Sequence, residues 1–219
     1  MGRITIDQSH SIVAILATNA NWEEVDFDEA KLQDLVIRDP KEAGRQFTAF
    51  LRNGGRVIAE KFPAWKTIKL GTGLRSADDF RKALKQSGCK IGDWGNDILG
   101  KPAFIASDTE TEVDLVVVSV AELGFKEGAT RKNIYNKAKK LGLELCPNEV
   151  GPQLRLQYKD QPKDKWLRIA MEPISGSGGG LGIFEVAHGG HGLWLGGVDG
   201  DPDDFWGGHD RFVFVCPRK

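Results

Sequence analysis

The apolar positions of this chain change their period from one third to the next. In the first third, Ala43, Phe47, Phe50 and Leu51 recur at helical spacing. Asp39-Pro40 in front of them is a strong helix start, because Asp accepts from free first-turn amides and Pro is tolerated at the first helical position. Asn53-Gly54-Gly55 ends the helix. Short strands are predicted at 3–6 and 56–59. These elements make a small N-terminal α/β unit over 1–64, with a boundary at Phe62-Pro63-Ala64-Trp65.

In the middle third, Ser76-Ala77-Asp78-Asp79 is a capping-box start and Gly88 a stop, with Phe80, Ala83, Leu84 and Ser87 on one face of the helix between them. A second helix runs from Thr130 to Gly142. Ile134, Ala138 and Leu141 make its inner face, and Arg131, Lys132, Lys137, Lys139 and Lys140 a basic outer face. Between the helices, the Val- and Leu-rich run 113–120 predicts a buried strand, leading into a helical turn at Ala121-Glu122-Leu123.

The last third reads as strands. Leu154, Leu156 and Tyr158 alternate with Arg155, Gln157 and Lys159, the period of a half-buried strand. A turn at 160–164 then predicts a return strand through Leu167, Ile169 and Met171. Further strands are predicted at 183–186, 193–195 and 211–215. Thirteen of the 27 glycines fall between Gly176 and Gly208, so short strands joined by glycine-rich turns are expected. The fold class is α+β: residues 65–219 form a second domain, with two capped helices packed on a mostly antiparallel C-terminal sheet, a meander or open barrel.

Composition narrows the functional classes. With 40% hydrophobic and 28% charged residues, the chain has the makings of a packed core, which excludes disorder over most of its length. A net charge of −1 gives no general pull toward nucleic acid or an acidic membrane. Residues 65–147 carry 14 basic and 11 acidic side chains, against 8 and 10 in each of 1–64 and 148–219. The three cysteines, Cys89, Cys146 and Cys216, form no CxxC pair and suit a reducing compartment. The six-residue apolar stretch 12–17 is too short for a signal-peptide core or a membrane span, so a cytoplasmic, non-membrane protein is expected.

Candidate chemistry concentrates in 188–210. Three of the four histidines, His188, His191 and His209, lie there among Asp199, Asp201, Asp203, Asp204 and Asp210. Imidazole with carboxylate is a transition-metal ligand set, and an open zinc position would activate water for hydrolysis. The alternative is solvated turns, because Gly, Asp and His-Gly-Gly-His are turn residues and not the helical HExxH pattern. Asp199, Asp201 and Asp203 also have the 1-3-5 spacing of a calcium loop with Asp210 at position 12, but Asp204 stands where that loop needs Gly. The run 175–182 lacks the Gly-Lys-Ser/Thr ending of a phosphate loop. Cys146 reads as a buried structural thiol.

Two binding surfaces are also candidates. Arg131, Lys132, Lys137 and Lys140, preceded by Ala121–Phe125, suggest a helix-turn-helix for nucleic acid, with a solvated helix face as the alternative. Trp194, Phe205 and Trp206 suggest a groove for a sugar, base or peptide, with hairpin packing as the alternative.

Several stretches resemble a group of uncharacterised bacterial proteins known mainly from environmental sequencing. They are Thr111–Phe125 (TEVDLVVVSVAELGF), Val150–Tyr158 (VGPQLRLQY), Ile169–Ile174 (IAMEPI) and Arg211–Val215 (RFVFV). Gly128–Arg131, Gly200–Asp204, Arg3–Asp7 and Phe47–Gly55 share the likeness. The resemblance implies a bacterial, cytoplasmic origin and carries no activity or ligand. With no strong catalytic motif in the chain, the first expectation is a non-enzymatic binding or interaction protein with a protein or small-molecule partner. The alternatives are a hydrolase dependent on a divalent metal such as zinc, with calcium as the other ion considered, and a nucleic-acid-associated protein.

Overall fold

The computed structural model describes residues 62–217 and, before them, the helical positions Pro40, Lys41, Gly44, Arg45, Phe47 and Thr48. The chain divides into two compact units, Met1–Gly55 and Arg56–Lys219. In the first, the helical positions lie in the segment that starts at Asp39-Pro40, and the Thr48 hydroxyl donates to the Gly44 carbonyl one turn back (2.7 Å). The strands expected at 3–6 and 56–59 fall outside the described residues.

The second unit runs β1 (Lys66–Leu70), α1 (Ala77–Gln86), β2 (Lys90–Ile91), α2 (Asp93–Leu99), β3 (Thr111–Ser119), β4 (Ala129–Thr130), α3 (Arg131–Lys140), α4 (Val150–Gln157), β5 (Lys165–Ile169), β6 (Ile174–Ser175), β7 (Leu181–Gly189), β8 (Gly192–Asp199), β9 (Phe205–Trp206) and β10 (Arg211–Cys216). It is an α+β arrangement on one mostly antiparallel sheet. The strand order is β1-β3-β10-β5-β7-β8-β2, with β6 beside the first half of β7. Among the described strands, β10–β5 and β2–β8 are the parallel pairs. A separate two-stranded ribbon pairs β4 with β9.

Local chemistry sets the helix ends. At α1, the Ser76 hydroxyl accepts from Asp79 N–H, and the Asp79 carboxylate accepts from Ser76 N–H, which satisfies two first-turn donors at once. Thr130 caps α3 through Asn133 N–H. Gly88 and Gly142 follow the two helices at positive φ. Phe80 and Leu84 of α1, and Ile134 and Ala138 of α3, are fully buried.

The two helices serve different surfaces. Tyr135 of α3 meets the rings of Phe212 and Phe214 edge-on, whereas α1 lies against α4 and β2. Register makes Phe212 a neighbour of Arg168, and Arg168 a neighbour of Glu185, so these side chains share one sheet face. The intervening residues Val213, Ile169, Phe184 and Val186 point to the opposite face, where Gly151 of α4 abuts Phe184.

Of residues 154–159, expected as a strand, 154–157 belong instead to helix α4, Tyr158 caps it and Lys159 lies in the turn that follows. The helix is buried nearly all round, at Val150, Gly151, Pro152, Gln153, Leu154 and Arg155. A helix enclosed on nearly every side has no solvated face to set against an apolar one, so its apolar residues lose the helical period. It touches β1 as well as β7 and β8, which lie far apart in the strand order. The sheet therefore curls around it. Most polar groups carried inside are paired, Arg155 Nε being an exception. Glu149 Oε1 accepts from Gln153 Nε2 at 2.9 Å, and Gln153 Oε1 accepts from Gln157 Nε2 at 3.1 Å. Arg155, wholly buried, donates to Gln161 Oε1, the Ala187 carbonyl and the Tyr158 carbonyl. The return strand ends at Ile169, and Ala170 and Met171 continue into the core.

Candidate ligand-binding face

Three strands bring two tryptophans into one row. Trp166 on β5 lies opposite Ala187 on β7, and Ala187 lies opposite Trp194 on β8. Opposed residues of antiparallel strands project from the same face, so the indoles stand on either side of the Ala187 methyl. Two strand spacings, about 10 Å, separate their backbones. Trp166 is 42% exposed, Trp194 is half-buried, and Ala187 is buried as the floor between them. Lys90 of β2 sets its ammonium 5.2 Å from the Trp194 ring centre on the outer side.

The next row on the same face is Arg168, Glu185 and Gly196. Arg168 Nε is 3.3 Å from Glu185 Oε2 as an ion pair without hydrogen-bond alignment, and its terminal nitrogen reaches Asp210 Oδ1 at 3.1 Å. The guanidinium stacks 5.1 Å from the ring centre of Trp206, which is itself packed edge-on against Phe212. Burial pushes the Glu185 carboxyl up from its ordinary value; Arg168 opposes that shift and Asp210 adds to it. Because residue 196 is glycine, no side chain stands over Glu185 on the β8 side, and a Cβ placed there comes 3.7 Å from Glu185 Oε1. The outcome is a charged row, with Trp206 behind it, beside a row carrying the two indoles.

Trp206 is held over Arg168 by the β4–β9 ribbon. Phe205 and Trp206 pair with Thr130 and Ala129, and Gly128 at φ +109° lets the chain pass beneath. A Cβ at Gly128 would lie 2.4 Å from the Trp206 carbonyl.

Of the aromatic trio read from the sequence, Trp194 lines the open face, Trp206 is buried behind Arg168, and Phe205 is 62% exposed against Gly128. Trp166 stands outside the aromatic trio because the apolar signal of its strand is carried by the inward residues Leu167 and Ile169. The outward alternation of Trp166 and Arg168 was the available signal.

The predicted metal ligands are not gathered. Among the described residues no three His, Cys, Asp or Glu side chains form a group able to hold a metal ion. The β7–β8 hairpin separates them. His188 pairs with Leu193 near its turn and Asp199 pairs with Gly182 at its far end, about 20 Å away along the strand. His188 projects from the face opposite Glu185, where its Nδ1 meets the Gln161 carbonyl. His191 is exposed in the hairpin turn, and His209 is exposed beside Gly207. The calcium-loop spacing is taken up by local turns. Asp199 accepts from Asp201 N–H and Asp201 from Asp203 N–H, each at 2.9 Å, while Asp210 turns to Arg168 and Gly207 N–H.

The basic helix differs in one position from its sequence reading. Lys132, Lys137 and Lys140 are exposed, but Arg131 is buried, with its Nε on the Asp201 carbonyl and its guanidinium over the Tyr135 ring. Residues 120–124 are turns and not a first helix, so no helix-turn-helix forms. The first amides of α3 are spent on the acidic loop: Arg131 N–H donates to the Asp204 carbonyl and Lys132 N–H to the Pro202 carbonyl. Burial, with Asp199 and Asp201 nearby, raises the Asp204 carboxyl.

The glycine run after β6 is a hairpin, with Ser177 bonded through its N–H and hydroxyl to Asp97. Cys146 is buried with its sulfur 3.3 Å from the Val213 carbonyl, and desolvation raises its thiol. No described helix is long and apolar enough to cross a membrane. Compared with protein-family models, curated proteins and solved structures, the chain matches none.

Proposed function

We propose that this is a non-enzymatic binding protein whose ligand lies on the face formed by Trp166, Ala187 and Trp194. The observation that carries the reading is the placement of two indoles in register on one sheet face, Trp166 exposed and Trp194 half-buried, with a small residue between them. Large rings gain contact area at low conformational cost, and a flat floor between them favours a ring-bearing ligand over an extended chain. The charged groups of the neighbouring row are tied to one another and to Gly207 N–H, which suits recognition better than proton transfer.

The two other readings have less behind them. A hydrolase needs converging ligands, and His188 projects from the face opposite Asp210 and Glu185. A nucleic-acid interface at the start of α3 would bring phosphates against Asp201, Asp203 and Asp204.

The test is a two-dimensional NMR titration that follows the six indole N–H signals, assigned by single Trp→Phe variants. Trisaccharides and nucleosides serve as probes. The reading expects Trp166 and Trp194 to shift together with one probe class while Trp65 and Trp94 stay still. Shifts spread over all six, or none at all, would refute it.

A further inference from the structure

We infer that the ligand of this face is an uncharged saccharide, whose ring lies against Trp166 or Trp194 and whose hydroxyls reach Glu185 and Arg168. The inference rests on the binding reading above and adds the ligand class. Its first support is the pairing of an apolar row with a polar one. Trp166, Ala187 and Trp194 offer C–H contact, and one residue pair further along the strands Arg168 and Glu185 offer planar charged groups. A pyranose has the same division, with C–H groups on its faces and hydroxyls at its edge. A nucleobase or an aromatic side chain is apolar on its faces too, but it carries few edge hydroxyls to set against a carboxylate.

The second support is charge. The face holds two cations, Lys90 and Arg168, and two carboxylates, Glu185 and Asp210. They sum to zero. Arg168 is committed to both carboxylates and Lys90 lies against Trp194, so neither is placed to neutralise a phosphate or a sugar acid. A phosphorylated ligand would bring its charge beside Glu185 and Asp210 without a compensating partner.

The third support is the gap at Gly196. Residue 196, directly opposite Glu185 and on the same face as the indoles, puts no side chain against Glu185 Oε1, which a Cβ there would approach to 3.7 Å. Arg168 fixes the carboxylate from Oε2, so a hydroxyl pair meets an acceptor that is already oriented. The backbones of the two tryptophans are about 10 Å apart, two strand spacings, so they offer two separate indoles on either side of Ala187.

The experiment uses the full chain and five probes: cellotriose, chitotriose, maltotriose, adenosine and adenosine monophosphate. Expected is saturable movement of the Trp166 and Trp194 indole signals with at least one trisaccharide. Dissociation constants should rise about tenfold or more in Trp166→Ala and in Trp194→Ala, in line with the loss of one ring contact. Glu185→Gln, which keeps the shape and loses an acceptor, should weaken the same trisaccharide several-fold. Adenosine binding at these indoles without any trisaccharide binding overturns the saccharide inference and leaves the binding reading standing. Tighter binding of the monophosphate than of adenosine overturns the uncharged-ligand argument. Silence from all five probes overturns both readings.

Discussion

Gln157 pairs with both backbone groups of Lys69. Its Oε1 accepts from the Lys69 N–H at 2.9 Å, and its Nε2 donates to the Lys69 carbonyl at 2.8 Å. Lys69 lies on β1, the edge strand beyond β3, so the carboxamide of the central helix stands where the next strand would be. Unpaired edge groups invite association with other chains. Here one side chain occupies them and ties the curled sheet to the helix inside it.

Replacing Gln157 by Leu should cost about 1.5–3 kcal/mol, the range for three hydrogen bonds near solvent, two to Lys69 and one to Gln153. The Lys69 amide should lose hydrogen-exchange protection by a larger factor than the amides of β7. Urea unfolding and amide exchange read the two effects. Unchanged exchange at Lys69 would mean that the carboxamide does not close the edge.

The Gln157 contact also marks where sequence reading succeeded and where it did not. Helices α1 and α3 are legible because their signals are local: Ser76 with Asp79, Thr130 with Asn133, and glycines at Gly88 and Gly142. Strands β3, β7, β8 and β10 are legible because enclosed strands read as continuous or alternating apolar runs. Helix α4 was not, because enclosure on nearly every side removed its apolar period. Its helical signal survives in the polar residues Glu149, Gln153 and Gln157, spaced four apart and bonded in series. The Trp166–Trp194 row depends on the register of β5, β7 and β8, which no single segment encodes. The histidine cluster misled for the same reason: closeness along the chain did not keep together His188, near the β7–β8 turn, and Asp199, at the far end of that hairpin.

Gly151→Ala should destabilise the protein even though alanine favours helix by about 1 kcal/mol over glycine. The added methyl would lie 2.6 Å from Phe184 Cβ, and both residues are buried between helix and sheet. Overpacking of this kind costs about 1–3 kcal/mol. Gly180→Ala, where nothing lies within 4 Å of the new methyl, is the control and should leave the melting temperature unchanged. Equal melting temperatures for the two variants would show that α4 can move away from β7 at no cost.

Asp97 should titrate well below an ordinary aspartate. Its carboxylate accepts from the Ser177 hydroxyl and N–H at 2.6 and 2.7 Å and faces the Lys101 ammonium at 2.9 Å. The Ser177 bonds, more than Lys101, hold it down to about 2. A lowered folded-state pKa means the contribution is whole above about 4 and is lost as the pH falls toward 2. Carboxyl-carbon NMR of Asp97 should show a midpoint near 2, with Gly176 and Gly180 shifting in step. A midpoint near 4 would show that the hairpin does not grip the carboxylate.

Arg168→Leu should be the most pH-sensitive substitution on the candidate face. It leaves Glu185 and Asp210, both mostly buried, without their cation. Breaking a fully buried pair costs about 3–5 kcal/mol; with these side chains 13–19% exposed, about 2–3 kcal/mol at pH 8 is expected. Burial already raises the Glu185 carboxyl, so the folded state holds that proton more tightly than the unfolded chain does. Its stabilising effect is whole below about 4.5 and declines as the pH rises through the folded-state value. Removing Arg168 raises that value further, because the opposing cation is gone. The penalty of the variant should therefore be large at pH 8 and much smaller at pH 4.5, where Glu185 carries its proton. Glu185→Gln, in which Arg168 still has Asp210, should flatten the same pH interval. Urea unfolding of both variants at the two pH values decides it: an Arg168→Leu penalty that is the same at both would show that the carboxylates do not depend on the guanidinium.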